Sequence, residues 1–284
     1  MQRPNTTRRL HADAERMSAD AAAARQRQRT VVGELKANRA RLIDTIAGQA
    51  AELERLRTTD DIASGRERPD LSYLFIVTYG RSGSTLLQGI LSSTPGVMIR
   101  GENGAVLQDL FRFHDTASGH RDRLTVNRVN QIPKTHPWWG IDGYRDETAL
   151  RDMRMLMLET VLRPDPGTRV VGFKEIYWMP DRLPDYLAFI RAVFPGARFV
   201  LNTRNLDDVA KSKWWARNPD ALHELELMEK QYVDALAALG DDAYRVHFDD
   251  YVADPVVLRG LFEWLGEPWN EQRVRAVMSV EHSY

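Results

Sequence analysis

Residues 73–87 read Tyr-Leu-Phe-Ile-Val-Thr-Tyr-Gly-Arg-Ser-Gly-Ser-Thr-Leu-Leu. The apolar run Tyr73–Val77 predicts a short buried strand, and the helical spacing of Thr85–Leu91 predicts a helix behind it. Between them lies a Gly/Ser turn. Gly80 and Gly83 let the backbone fold tightly and approach a ligand. Successive N–H groups in such a turn, together with the helix N-terminus, make an anion nest. Ser82, Ser84 and Thr85 add hydroxyls, and Arg81 adds a forked positive charge. The turn is not a nucleoside-triphosphatase loop. That loop, GxxxxGK[ST], carries Lys after its second Gly, where Ser84 stands here. No apolar strand ending in a magnesium-binding Asp accompanies it. The stretch favours transfer chemistry on an anion, without a metal.

The same alternation continues downstream. Arg169–Phe173 and Ala197–Leu201 are two further buried-strand candidates. Helical patterns cover 150–162, 186–194, 206–215 and 221–239. Strand–helix alternation predicts an α/β fold with a mainly parallel sheet covered by helices. Ligands of such sheets sit beyond the C-terminal ends of the strands. A second motif occupies that position: Asn202-Thr-Arg-Asn-Leu-Asp-Asp-Val-Ala-Lys-Ser-Lys-Trp-Trp215 follows the third strand. Arg204 at the strand end, with Ser212 two helical turns on, can hold a second phosphate.

Together these segments resemble the sulfotransferases that use 3′-phosphoadenosine 5′-phosphosulfate (PAPS). Residues 80–87 are similar to their 5′-phosphosulfate loop, and residues 202–212 to their 3′-phosphate site. A third stretch, His247-Phe-Asp-Asp-Tyr-Val-Ala-Asp-Pro255 followed by Leu261-Phe-Glu-Trp-Leu-Gly-Glu-Pro268, resembles the family's later conserved region. The likeness spans roughly residues 72–270 and is of the Arg-Ser-Gly type of bacterial, carbohydrate and tyrosylprotein enzymes. It implies a three-layer, P-loop-like fold, PAPS as co-substrate, no metal, and a hydroxyl acceptor, here expected on a glycan or glycolipid. Gly80, Arg81, Ser82, Gly83, Ser84, Thr85, Arg204 and Ser212 would bind the donor.

In-line sulfuryl transfer depends on positioning and charge stabilisation. It calls for a cation at the leaving oxygen and a base for the acceptor. Arg81 and Lys174, within Gly172-Phe-Lys-Glu-Ile176, fit the cationic roles, and Glu102, within Val97-Met-Ile-Arg-Gly-Glu-Asn103, is the first choice of base. Glu175 and His136, in Pro133-Lys-Thr-His-Pro137, remain alternatives. Trp138, Trp139, Tyr177, Trp178, Trp214 and Trp215 are candidate acceptor walls, with Trp178 and Trp214 the best placed. Two other functions compete: a small-molecule kinase using ATP and magnesium, and a non-catalytic nucleotide-binding scaffold. The final residues, His282-Ser-Tyr284, contain no Arg-Lys-Gly segment of the kind many relatives place near adenine, so the adenine contacts carry no assignment.

Composition bounds the rest. The 284 residues carry 39 basic and 40 acidic side chains, and a net charge of −1 gives no reason to expect nucleic acid as a partner. There is no cysteine, hence no disulfide framework or thiolate chemistry. No apolar run reaches the ~20 residues of a membrane helix, and the N-terminus lacks a secretory h-region. A cytoplasmic setting is expected. The chain divides by composition into 1–68 and 69–284. Phe, Tyr and Trp are absent from residues 1–60, where Val32, Leu35, Leu42, Ile46, Leu53 and Leu56 recur at three- and four-residue steps. Arg39 and Gln49 interrupt this seam. The pattern predicts a helix with a coiled-coil seam, suited to a homodimer or another partner.

Overall fold

The fold is seen in a computed structural model, which describes residues 5–63, 68, 70–126 and 132–280. The chain divides into two compact units, Met1–Ser64 and Gly65–Tyr284. The expected boundary at 68/69 falls in a connection of which only residues 68 and 70 are described, and His282–Tyr284 lie outside the described residues. The described residues of the first unit form one helix, α1 (Asn5–Ala63).

Among its described residues the second unit has five strands: β1 (Ser72–Val77), β2 (Val97–Arg100), β3 (Val170–Glu175), β4 (Arg198–Thr203) and β5 (Ala243–His247). All pairings are parallel, in the order β2-β3-β1-β4-β5. The central strand, β1, is flanked by β3 and β4, with Val77 opposite both Glu175 and Leu201. Three segments far apart in sequence therefore end side by side. β5 was not among the expected strands. It is an edge strand with only Val246 buried, so it lacks the apolar run that marks β1, β3 and β4.

The period-two alternation of the strands sends side chains into two cores. Phe75, Val77, Phe173, Phe199 and Leu201 pack against α3 (Val106–Thr125), α4 (Asp146–Met157), α5 (Leu183–Val193) and α7 (Ala221–Ala237). Leu74, Ile76 and Val200 pack on the other face against α2 (Ser84–Ser92), α8 (Phe248–Ala253), α9 (Arg259–Leu265) and α10 (Glu271–Met278). The result is the three-layer α/β arrangement implied by the sequence.

One expected helix is cut short. Instead of running over 206–215, α6 (Leu206–Ala210) is five residues long. Asn205 caps its start by accepting from the Asp208 N–H. Lys213 then takes φ +46°, a left-handed conformation that no α-helix continues. Ser212 therefore stands in a turn after the helix rather than on its second turn.

Candidate active site

The turn after β1 is fixed from beneath by buried polar groups. The Thr78 hydroxyl donates to the Asn202 carbonyl (2.8 Å) and shares a hydrogen bond with Ser82 Oγ (2.6 Å). Asn202 Nδ2 donates to the Ser82 carbonyl (2.9 Å), and the Tyr251 hydroxyl donates to Asn202 Oδ1 (3.0 Å). Ser82 is fully buried, so its hydroxyl serves the loop and not the cleft above it. Arg81 is held at φ +71° and Gly83 at φ +78°. A Cβ on Gly83 would stand 2.1 Å from Phe248 Cδ2, so both the positive φ and the overlap with the Phe248 ring favour glycine there.

Strand alternation separates two neighbouring charges. Lys174 lies on the α2 side of β3 and Glu175 on the other. The Lys174 ammonium is buried and forms an ion pair with Glu102, whose side chain is 42 % exposed. Glu175 is buried, and its two carboxylate oxygens accept from the main-chain N–H groups of Asn103, Ala105 and Ile176. Those bonds shape the segment that carries Glu102. Glu175 is thus a structural brace, and of the two carboxylates Glu102 alone lines the cleft.

Arg204 follows β4 directly. Its guanidinium rests on the Phe248 ring at 4.6 Å, and Nη1 donates to the Arg81 carbonyl (3.2 Å). Its Nε is buried without a hydrogen-bond partner in the protein. The Arg204 N–H donates to the Tyr79 hydroxyl (2.9 Å), which in turn donates to Glu229 (2.6 Å). Burial, reinforced by that carboxylate, raises the Tyr79 pKa far above its ordinary value and keeps the phenol protonated as a fixed post.

These parts border a cleft of about 530 Å³ at the C-terminal ends of β1, β3 and β4. Its walls include Gly80, Arg81, Gly83, Ser84, Thr85, Glu102, Lys174 and Arg204, all expected from sequence. Lys213 and Phe248 also line it, and neither was assigned a role from sequence. Phe248 is the second residue of the third family-like segment, and that likeness is the one signal in the sequence that could have pointed to it. Four lining residues are cationic and one acidic, so the cleft carries a net charge of +3. Ser212 stays at the rim, where its hydroxyl accepts from Arg81 Nε (3.0 Å).

The aromatic candidates scatter. Trp214 lines the cleft beside Gly80, and Trp215 Nε1 donates to the Gly80 carbonyl (3.2 Å). Trp178 does not form a wall: it is buried in the α3/α5 core, with Nε1 donating to the Glu175 carbonyl (2.6 Å). Trp138, Trp139 and His136 sit in the 132–143 segment and do not border the cleft. There His136 Nδ1 accepts from the Trp138 N–H (3.1 Å), which makes it a local turn residue. Among the described residues no group of three His, Asp or Glu side chains could hold a metal ion, and no helix is long and apolar enough to cross a membrane.

The chain thus combines a parallel α/β sheet, a glycine-containing turn after its central strand, and a cationic cleft at the switch point of the sheet. The profile of the sulfotransferase family matches residues 74–271, more than half of the chain, and spans the turn after β1, Glu102, Lys174, Arg204 and Phe248. The chain belongs to that family. Solved structures similar to it include the sulfotransferase domain of the Synechococcus PCC 7002 olefin synthase, 20% identical over 76% of this chain and 81% of that one, with a TM-score of 0.48. The sulfotransferase domain from the curacin biosynthetic pathway is 17% identical over 74% and 79%, with a TM-score of 0.46. Sulfotransferase STF1 of Mycobacterium tuberculosis H37Rv is 15% identical over 75% and 72%, with a TM-score of 0.41. No curated protein matches the chain significantly.

Proposed function

We propose that the protein transfers a sulfuryl group from PAPS to an acceptor hydroxyl, with Glu102 as general base. The observation that carries this reading is the cleft itself: four cations and one half-exposed carboxylate surround a glycine cradle. A ligand with phosphates at both ends fits the residues present. Ser84 and Thr85, at the N-terminus of α2, would hold the 5′ end with Arg81. Arg204 would take the 3′-phosphate, and its unpartnered Nε supports that role, because a buried donor without an acceptor is costly until an anion arrives. When bound, PAPS supplies the activated sulfuryl group.

The remaining chemistry belongs to the chain. Lys174, almost wholly buried, orients Glu102 toward the cleft and lies where it can turn its ammonium to a developing negative charge. Glu102 Oε accepts the acceptor's proton as the hydroxyl oxygen attacks. Ser212 holds Arg81 from outside, so it acts on the donor site through that guanidinium. The exposed Trp214 ring on the cleft wall supports a glycan or glycolipid acceptor, since aromatic faces pack against sugar rings.

Calorimetric titration tests the reading. The protein should bind 3′,5′-adenosine bisphosphate selectively in the micromolar range and then sulfate a glycan acceptor from PAPS. Binding of ATP with magnesium alone would replace this function with a kinase. Binding of neither would leave a scaffold.

A further inference from the structure

The seam of α1 has an internal symmetry that goes beyond the catalytic reading. Val32, Leu35, Leu42, Ile46, Leu53 and Leu56 are all between 43% and 63% exposed along one line of the helix. In heptad terms 32, 39, 46 and 53 occupy one seam position and 35, 42, 49 and 56 the other. Arg39 and Gln49 are the polar members. Each seam residue has a partner at equal distance from residue 44: Val32 with Leu56, Leu35 with Leu53, Leu42 with Ile46, and Arg39 with Gln49. The apolar residues thus match apolar ones, and the two polar residues match each other.

We infer that residues 32–56 pair antiparallel with the same segment of a second copy of this chain, in the register that sets Arg39 against Gln49 of the partner subunit. Antiparallel pairs juxtapose the two seam positions, and this register covers every apolar seam residue with another. The Arg39 guanidinium, a donor with no acceptor capacity, meets the Gln49 amide oxygen twice by symmetry. A parallel, in-register pair would instead place Arg39 on Arg39 inside the seam, a like-charge contact that works against it. Ile43, also exposed, lies one residue from the two-fold axis and meets its own copy there, which widens the apolar strip at its centre. Polar seam residues commonly select register and orientation in this way.

The orientation fixes distances. Thr59 is 15 residues from the symmetry point, so the two copies of Thr59 stand roughly 45 Å apart at ~1.5 Å per residue in this pair. In a parallel pair they are within about 20 Å, given interaxial distances of roughly 10 Å. The chain has no cysteine, so Thr59→Cys carries a single spin label.

The full chain should sediment at twice its own mass, and deletion of residues 1–60 should make it monomeric. The labelled protein should give a pulsed electron double-resonance distance near 45 Å, as the ~1.5 Å rise requires. Gln49→Glu supplies a second readout with a sign: it puts a carboxylate against Arg39 in the antiparallel pair and should tighten dimerisation by about three- to tenfold. In a parallel pair the same change brings two carboxylates face to face at position 49 and weakens it. A monomeric full chain, a dimer that survives deletion, a distance under about 20 Å, or weakening by Gln49→Glu would each overturn the inference. None of these readouts involves the cleft, so the catalytic reading stands or falls separately.

Discussion

Arg204→Ala gives the most direct reading of the donor site. In the free protein its guanidinium does three things: it stacks on Phe248, donates to the Arg81 carbonyl, and leaves Nε without a partner. Only the last of these awaits a ligand. A hydrogen bond to a charged group contributes about 1.5–3 kcal/mol. Loss of the fork from a 3′-phosphate should therefore cost about 2–3 kcal/mol, or roughly 30- to 150-fold in Kd. Adenosine 5′-monophosphate has no second phosphate, so its Kd should change by less than about threefold. Titration calorimetry with both nucleotides on both proteins measures the difference. The lost stacking on Phe248 is expected to cost about 0.5–1 kcal/mol of stability, visible as a Tm decrease of about 1–4 °C without ligand. Equal weakening of the two nucleotides would refute the assignment, because it would mean that Arg204 only supports the Arg81 turn. Arg204→Lys keeps the charge without the fork and should fall between wild type and Ala.

Three further perturbations probe other parts of the site and fold. Glu102→Gln retains an oxygen for the Lys174 ammonium, so bisphosphate affinity should stay within about threefold while turnover falls about 10²-fold or more; undiminished turnover would remove Glu102 from the chemistry. Gly83→Ala imposes a left-handed conformation on a residue with a Cβ and drives that atom into Phe248. It should cost at least about 1–2 kcal/mol in urea denaturation and also weaken bisphosphate binding by displacing the ring under Arg204; a wild-type midpoint would contradict the packing. His114 is held below its ordinary pKa of 6.5 chiefly by burial, with Arg121 lowering it further against the upward pull of the Asp146 and Asp115 carboxylates. Its neutral form is favoured by folding, so this contribution is complete above about pH 6.5 and is lost as pH falls below it, where the unfolded chain takes up the proton first. The stability difference between about pH 7.5 and about pH 5.5 should shrink in His114→Gln, and an unchanged difference would assign the pH dependence to other groups.

The amino-acid sequence determined those features that depend on local pattern. The apolar runs of β1, β3 and β4 mark strands because each is buried on both faces of a parallel sheet, and Gly80 and Gly83 mark the tight turn between β1 and α2, where Gly83 takes a positive φ. That residues 5–63 form a helix was legible for the same reason. Features that depend on distant neighbours were not. β5 was missed because an edge strand needs little apolar surface. The early end of α6 rests on a left-handed Lys213, which no propensity would suggest. Only the tertiary structure decided which of the paired charges Lys174 and Glu175 faces the cleft, that Trp178 belongs to a core while Trp214 borders the site, and that Ser82 serves its own loop. Each of these is settled by the sheet order. Placing β3 and β4 on either side of β1 brings together residues far apart in the chain, and strand alternation then assigns every side chain to the cleft or to the core.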